Sequence, residues 1–312
     1  MFHRNLAALV FLAAAFAHAQ SQTAIPGVIA AGTPVEIVQE GFVFTEGPVG
    51  APDGSVYFTD VRARKLYKLD TAGKVTVVRE ESRGANGLAF SKSGDLYSAE
   101  GAGAPPATGK RISRANQTGQ PVDVVDKANG QPLGSPNDLI LDAKGGVYFT
   151  DPGTQPMDAP DKHGDIYYLA PGKTEPIRID GEMKFPNGVA LSTDGKTLLV
   201  ADFRGVNLWA YDVQPDGSAK NKRVFVAVPQ LTNGFSMGDG ICIDRESRVY
   251  LTSGVGIQIF DRAGKFLGVI KTPKQPANCA FGGVDKKTLY VTARESVYRI
   301  KMLAQGPNRP GK

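Results

Sequence analysis

Six oxygen-bearing side chains recur at matching places along the chain: Glu46, Asn86, Asn137, Asn187, Asp239 and Asn278. Each heads a short apolar stretch, usually with a small residue directly after it. Two are carboxylates and four are amides, with no His or Cys among them. Such a donor set suits a hard cation, because Ca²⁺ takes about six to eight oxygens and accepts neutral amides. Glu46 and Asp239 would balance its charge, with Mg²⁺, Mn²⁺ or Zn²⁺ as alternatives. A plainer reading is that Asn and Asp cap tight strand starts by bonding nearby backbone. For Asn86 and Asn278 the two readings weigh equally.

Histidine arithmetic narrows the chemistry. Of three histidines, His3 and His18 fall in a leader-like segment, so His163 alone remains downstream. A His-rich zinc site and an H-E-x-x-H hydrolase are thereby excluded. A serine triad would need His163, and no G-x-S-x-G elbow accompanies it.

The elements that position the six residues follow from a repeat. EGPVGAPDGSVYFTD from Glu46, NGLAFSKSGDLYSAE from Asn86 and NDLILDAKGGVYFTD from Asn137 share one grammar with NGVALSTDGKTLLVAD from Asn187, DGICIDRESRVYLTS from Asp239 and NCAFGGVDKKTLYVTA from Asn278. The heads lie 40, 51, 50, 52 and 39 residues apart. After each head come an apolar run, a polar turn and an alternating strand. Two further strand-like runs separate consecutive repeats, as KLYKLD and KVTVVRE do. The 37 glycines and 21 prolines fit many such turns. Four strands per repeat is one propeller blade, so the expected fold is all-β, a six-bladed β-propeller with four-stranded blades. The last repeat lacks a fourth strand. The orphan run VEIVQ at residues 35–39 can supply it, closing the ring through an N-terminal strand in the last blade. The heads then ring one mouth of the central channel.

Residues 1–19 carry a basic start, a short apolar middle and an A-x-A ending at Ala17-His18-Ala19, the pattern of a cleaved signal peptide. The expected organisation is a signal peptide at 1–19, an N-terminal extension at 20–33, the propeller at 34–303 and a tail at 304–312. Export to a bacterial periplasm or beyond follows, with no membrane association after cleavage. The formal charge of +5 has no Lys/Arg block behind it, so nucleic acid is not an expected partner.

Several motifs together resemble the gluconolactonase, senescence-marker-protein and luciferin-regenerating-enzyme family. They are EGP at 46–48, SPNDL at 135–139 followed by FTDP, FPNG at 185–188, GDG at 238–240, and AFGG at 280–283 with TLYVTA. The resemblance implies a six-bladed propeller with a catalytic divalent metal, usually calcium, and hydrolysis of a small-molecule lactone. It maps Glu46, Asn187 and Asp239 onto the metal ligands and Asn137 onto a residue touching metal or substrate. Ser135 stands where some relatives carry Arg, and Gly153-Thr154 replaces the usual Pro-Tyr.

Lactone opening needs a delivered water and a stabilised oxyanion. Asp239 is the candidate general base as well as a ligand. Asn137 and Asp138 join it as catalytic candidates, Asp138 by orienting Asn137 or holding the water. Loops at residues 101–110 and 152–164 should overhang the mouth. Candidate substrate contacts are Asn86, Arg62, Arg204 and, in the second loop, His163. Arg64 and Arg294 occupy positions like those of Arg62 and Arg204, and any of these arginines could bind a sugar acid or merely sit solvated on the rim. An organophosphate or aryl-ester hydrolase on the same metal site, or a non-catalytic binding propeller, are the alternatives. Cys242 and Cys279 stand at different places in their repeats, the fourth and the second, so two buried unbridged thiols are expected. Trp209 reads as outer-strand packing.

Overall fold

The structure is a computed structural model that describes residues 22–101, 109–116, 119–156, 158–229 and 236–308. It contains six four-stranded antiparallel sheets and a small hairpin, Lys127–Ala128 with Gln131–Pro132; among the described residues there is no helix. The first strands of the six sheets are Thr45–Gly50, Leu88–Phe90, Leu139–Leu141, Pro186–Leu191, Ile241–Ile243 and Asn278–Gly282. Each touches the next, and Asn278–Gly282 returns to Thr45–Gly50. This closed cycle is the six-bladed propeller. Each sheet then runs outward in sequence order. The last sheet is the exception: Glu36–Glu40 joins the edge of Ser296–Lys301, with Glu36 opposite Arg299 and Glu40 opposite Ser296. An N-terminal strand thus completes the last blade, and Arg299 Nε donates to Glu36 Oε2 at 2.7 Å across the junction.

Burial follows position in the blade. Inner strands are buried on both faces because each blade is sandwiched between two others; Leu139–Leu141 and Ile241–Ile243 are apolar throughout. Outer strands such as Glu36–Glu40 and Val75–Arg79 are partly solvated. The core is a series of inter-blade layers, for example Ala89, Ala99 and Ile112 against Leu139, Leu141 and Phe149. Buried polar groups stitch the same gaps: Tyr148 donates to the Gly217 carbonyl of the following blade at 2.7 Å. The polar turns after the apolar runs are closed by Asp side chains, as where Asp142 Oδ1 accepts from the Lys144 and Gly146 amides. Gly145 there has φ 90°, while Ser247 holds the equivalent place at φ 59°.

The segments flanking the ring are packed onto it. Ile25, Val28 and Ile29 are buried in the last inter-blade layer with Ala304. No helix among the described residues is long and apolar enough to cross a membrane. The leader-like residues 1–19 lie outside the described residues.

Candidate active site

The glycine after four of the heads has a steric reason. A Cβ on Gly188 would lie 2.9 Å from both Gly240 Cα and Ile241 N, and closer still to the Asp239 carbonyl. Gly47 stands likewise against Asn86, Gly87 against Asp138 and Gly240 against Asn278. Four inner segments therefore press the glycine after their head onto the start of the next blade. Backbone bonds follow the contact: Gly87 N donates to Asn137 O at 2.8 Å and Gly188 N to Asp239 O at 3.1 Å.

A second set of residues fixes the heads from the neighbouring strand. Buried Thr59 donates to Asn86 O at 3.0 Å, Thr150 to Asn187 O at 2.7 Å and Thr252 to Ala277 O at 2.6 Å. The Asp after two of these threonines holds the segment leading into its own head. Asp60 accepts from the amides of Val43 (2.7 Å) and Phe44 (3.0 Å), and Asp151 from those of Gly134 (2.7 Å) and Ser135 (2.5 Å). Asp202 does the same for Lys184 and Phe185. Burial raises the Asp151 and Asp202 carboxyls, against the pull of those amides.

This scaffold brings Glu46, Asn86, Asn137, Asn187 and Asp239 to one cavity of about 230 Å³. Phe44, Phe185 and Phe203 form apolar wall, and Arg62, Gln275, Pro276, Ala277 and Arg294 complete it. Phe44, Phe185 and Pro276 each sit two residues before a head. The pattern was available in the sequence, but only ring closure shows that this position faces the cavity.

Glu46 is 3% exposed and Asp239 9%. Burial, then the Glu46 carboxylate, pushes the Asp239 carboxyl well above its ordinary value; Arg294 opposes this, Asp138 adds to it, and a hydrogen bond with Asn187 counters it. Glu46 Oε2 accepts from Gly47 N at 2.6 Å and from Asn278 Nδ2 at 2.9 Å. Asn278 also caps its own strand, its Oδ1 accepting from Cys279 N at 2.9 Å. It is therefore a cap and a clamp on Glu46, a role the cap reading alone did not contain. Asp138 is 1% exposed; its oxygens accept from Leu139 N (2.9 Å) and Val189 N (3.1 Å). It ties adjacent blades together beneath the cavity and is not part of the lining.

The remaining candidates divide. Arg62 and Arg294 lie against Phe44, 5.4 and 5.6 Å from its ring centre. Arg64 is paired with Glu81 at 2.9 Å instead. Arg204 is not among the lining residues, and exposed His163 contacts the Glu182 carbonyl at 3.3 Å. Residues 102–108 of the first expected overhanging loop lie outside the described residues. The second loop is anchored through Lys162, whose Nζ donates to the Pro152 and Gln155 carbonyls at 2.6 and 2.9 Å.

Two buried carboxylates facing each other among amide oxygens form a donor set that fits a hard divalent cation, which would relieve the repulsion felt by Asp239. Among the described residues no three His, Cys, Asp or Glu side chains cluster as a metal site; the extra donors here are amides.

With that geometry, residues 44–295 match the SMP-30/Gluconolactonase/LRE-like region, and the chain belongs to that family. It is 27% identical over 304 residues to a gluconolactonase of Zymomonas mobilis subsp. mobilis, covering 89% of this chain and 83% of that protein. It is 27% identical over 283 residues to regucalcin of Gallus gallus, covering 85% and 88%. A gluconolactonase of Xanthomonas campestris superposes with a TM-score of 0.78 at 26% identity, covering 91% of this chain and 94% of that one.

Proposed function

We propose that this protein is a divalent-metal-dependent lactonase acting on a sugar lactone such as gluconolactone or a similar cyclic ester. The observation that carries the reading is the convergence of Glu46, Asn137, Asn187 and Asp239 in one cavity, with both carboxylates buried. The names of its gluconolactonase relatives support it. These four residues would hold the cation, and Ca²⁺ suits their all-oxygen chemistry best. When bound, the cation supplies Lewis acidity to the lactone carbonyl.

The protein's own groups do the rest. The phenylalanine wall takes the ring and excludes water from one side. Asp239 takes a proton from the attacking water, whose oxygen bonds to the carbonyl carbon. The ring C–O bond then breaks, and the departing alkoxide recovers the proton from Asp239, giving the open hydroxy acid. Asp239 is the base by position, a buried carboxylate that lines the cavity beside Asn187. Asn278 keeps Glu46 aimed, and Asp138 keeps the blades of Asn137 and Asn187 in register.

The test is lactone hydrolysis with and without chelator, with metal content measured. Chelation should abolish turnover, and added calcium should restore it. Asp239→Asn at saturating calcium, with bound metal confirmed, should lose about 10²–10⁴-fold in rate. Activity persisting in a verified metal-free preparation would refute the mechanism. Near wild-type turnover of Asp239→Asn would leave Asp239 a ligand only. The leader pattern further supports export, and we infer a periplasmic or secreted protein.

A further inference from the structure

Building on the lactonase reading, we propose that the cavity selects a lactone bearing a second, anionic group, a carboxylate, received between Arg62 and Arg294. Both guanidinium groups rest against the same Phe44 ring, at 5.4 and 5.6 Å. The backbone that carries that ring is held by Asp60, which accepts from the Phe44 amide. Arg62 is exposed and Arg294 half-buried, and the ring they share sets both at the cavity.

Among the described residues Arg62, Arg245, Arg262 and Arg294 make no ion pair, and of these Arg62 and Arg294 line the cavity. Arg64 pairs with Glu81, Arg178 with Asp165, Arg223 with Asp212, Arg248 with Asp244 and Arg299 with Glu36. Among the described residues Arg62 has the Phe44 ring and no acidic partner or hydrogen bond. Arg294 gives one nitrogen to Gln275 Oε1, itself a lining residue, and the adjacent Glu295 is taken by Lys274 at 2.9 Å. An arginine held on a ring with its fork unspent is suited to a carboxylate, which it can bind in a bidentate way.

The charges in the lining agree. It holds two carboxylates, Glu46 and Asp239, and two guanidinium groups. A divalent cation held by the carboxylates would leave both guanidinium groups without a counter-charge in the lining. Asp60 and Asp138 lie behind it with their oxygens given to backbone amides. At about 230 Å³ the space is below the roughly 300–1,000 Å³ of pockets for larger ligands. It admits one small ring with its substituents.

The test compares the γ-lactones of glucaric and gluconic acid, which differ only in carrying a carboxylate or a hydroxymethyl group. The calcium-loaded protein should favour the glucaric lactone by about tenfold to a hundredfold in kcat/KM, the worth of a charge-assisted hydrogen bond. Arg62→Gln should bring that ratio down toward one, and Arg62→Lys should restore part of it. A second readout needs no turnover: calorimetric binding of tetrahydrofuran-2-carboxylate against tetrahydrofurfuryl alcohol should favour the acid in the wild type and not in Arg62→Gln. If both lactones are hydrolysed with no preference for the acid, or if Arg62→Gln leaves the preference intact, the inference is overturned while the lactonase reading stands. If neither lactone is hydrolysed, the lactonase reading fails, and the binding comparison still decides whether the arginines select an acid.

Discussion

Replacing Gly188 with Ala puts a single carbon into the seam between the fourth and fifth blades. Backbone strain is not the issue, because Gly188 has no positive φ. The added Cβ would stand 2.9 Å from Gly240 Cα and from Ile241 N, with the Asp239 carbonyl oxygen nearer still. All three are backbone and cannot swing aside as a side chain would. Restoring ordinary contact at about 3.5 Å requires the head of the fifth blade to retreat by roughly half an ångström or more. Overpacking of this kind costs about 1–3 kcal/mol, which for a domain of this size lowers Tm by roughly 2–12 °C. The Gly188–Asp239 backbone bond at 3.1 Å should lengthen with it. Asp239 would then be displaced relative to Glu46 and Asn187, and a misplacement approaching 1 Å can cost about 10²-fold in rate. The assay is thermal unfolding at fixed calcium, followed by calcium titration and turnover. Gly238→Ala is the control: it neighbours the same head, but its Cβ would meet nothing closer than 3.4 Å. It is buried too, but its Cβ would make only ordinary contacts, so it should melt within about 2 °C of wild type. If Gly188→Ala melts with the wild type and binds calcium equally well, the glycine is not a contact requirement.

Other outcomes follow from particular contacts. The Sγ atoms of Cys242 and Cys279 are 3.3 Å apart and buried, so refolding in a glutathione buffer should join them with a closure of roughly 1 Å; intact thiols by titration and mass afterwards would refute this. Burial raises the Asp180 carboxyl, but hydrogen bonds from Lys222, Tyr211 and the Glu182 amide outweigh it, and its value is lowered. The stability it contributes is therefore complete above the ordinary carboxylate value and is lost as pH falls through the lower folded one. The Tm gap between wild type and Asp180→Asn should accordingly narrow below about pH 4, and a gap that widens there would contradict the assignment. Exported protein should begin at or near Gln20 by intact mass, and Met1 retained on exported protein would exclude cleavage.

The repeat grammar was enough to determine the ring, because blades are local units. A head, an apolar run, a polar turn and an alternating strand are read within some fifteen residues, and their recurrence dictates closure. The same reading placed VEIVQ in the last blade and brought the oxygen-bearing heads to one mouth. Three things waited for the tertiary structure. The glycines after Glu46, Asn86, Asn187 and Asp239 were visible, but their reason is a contact with a blade roughly forty to fifty residues away. Cys242 and Cys279 occupy different places in their repeats, yet adjacent inner strands are staggered, with Gly240 N bonding Ala277 O, and the stagger brings the two thiols together. Arg62, Arg64 and Arg204 have the same residue type in similar positions. Only packing separates them: Phe44 holds Arg62 at the cavity, Glu81 draws Arg64 away, and Arg204 is outside the lining. A one-dimensional period specifies which residues share a level of the ring; which long side chain reaches the centre depends on partners that the period does not contain.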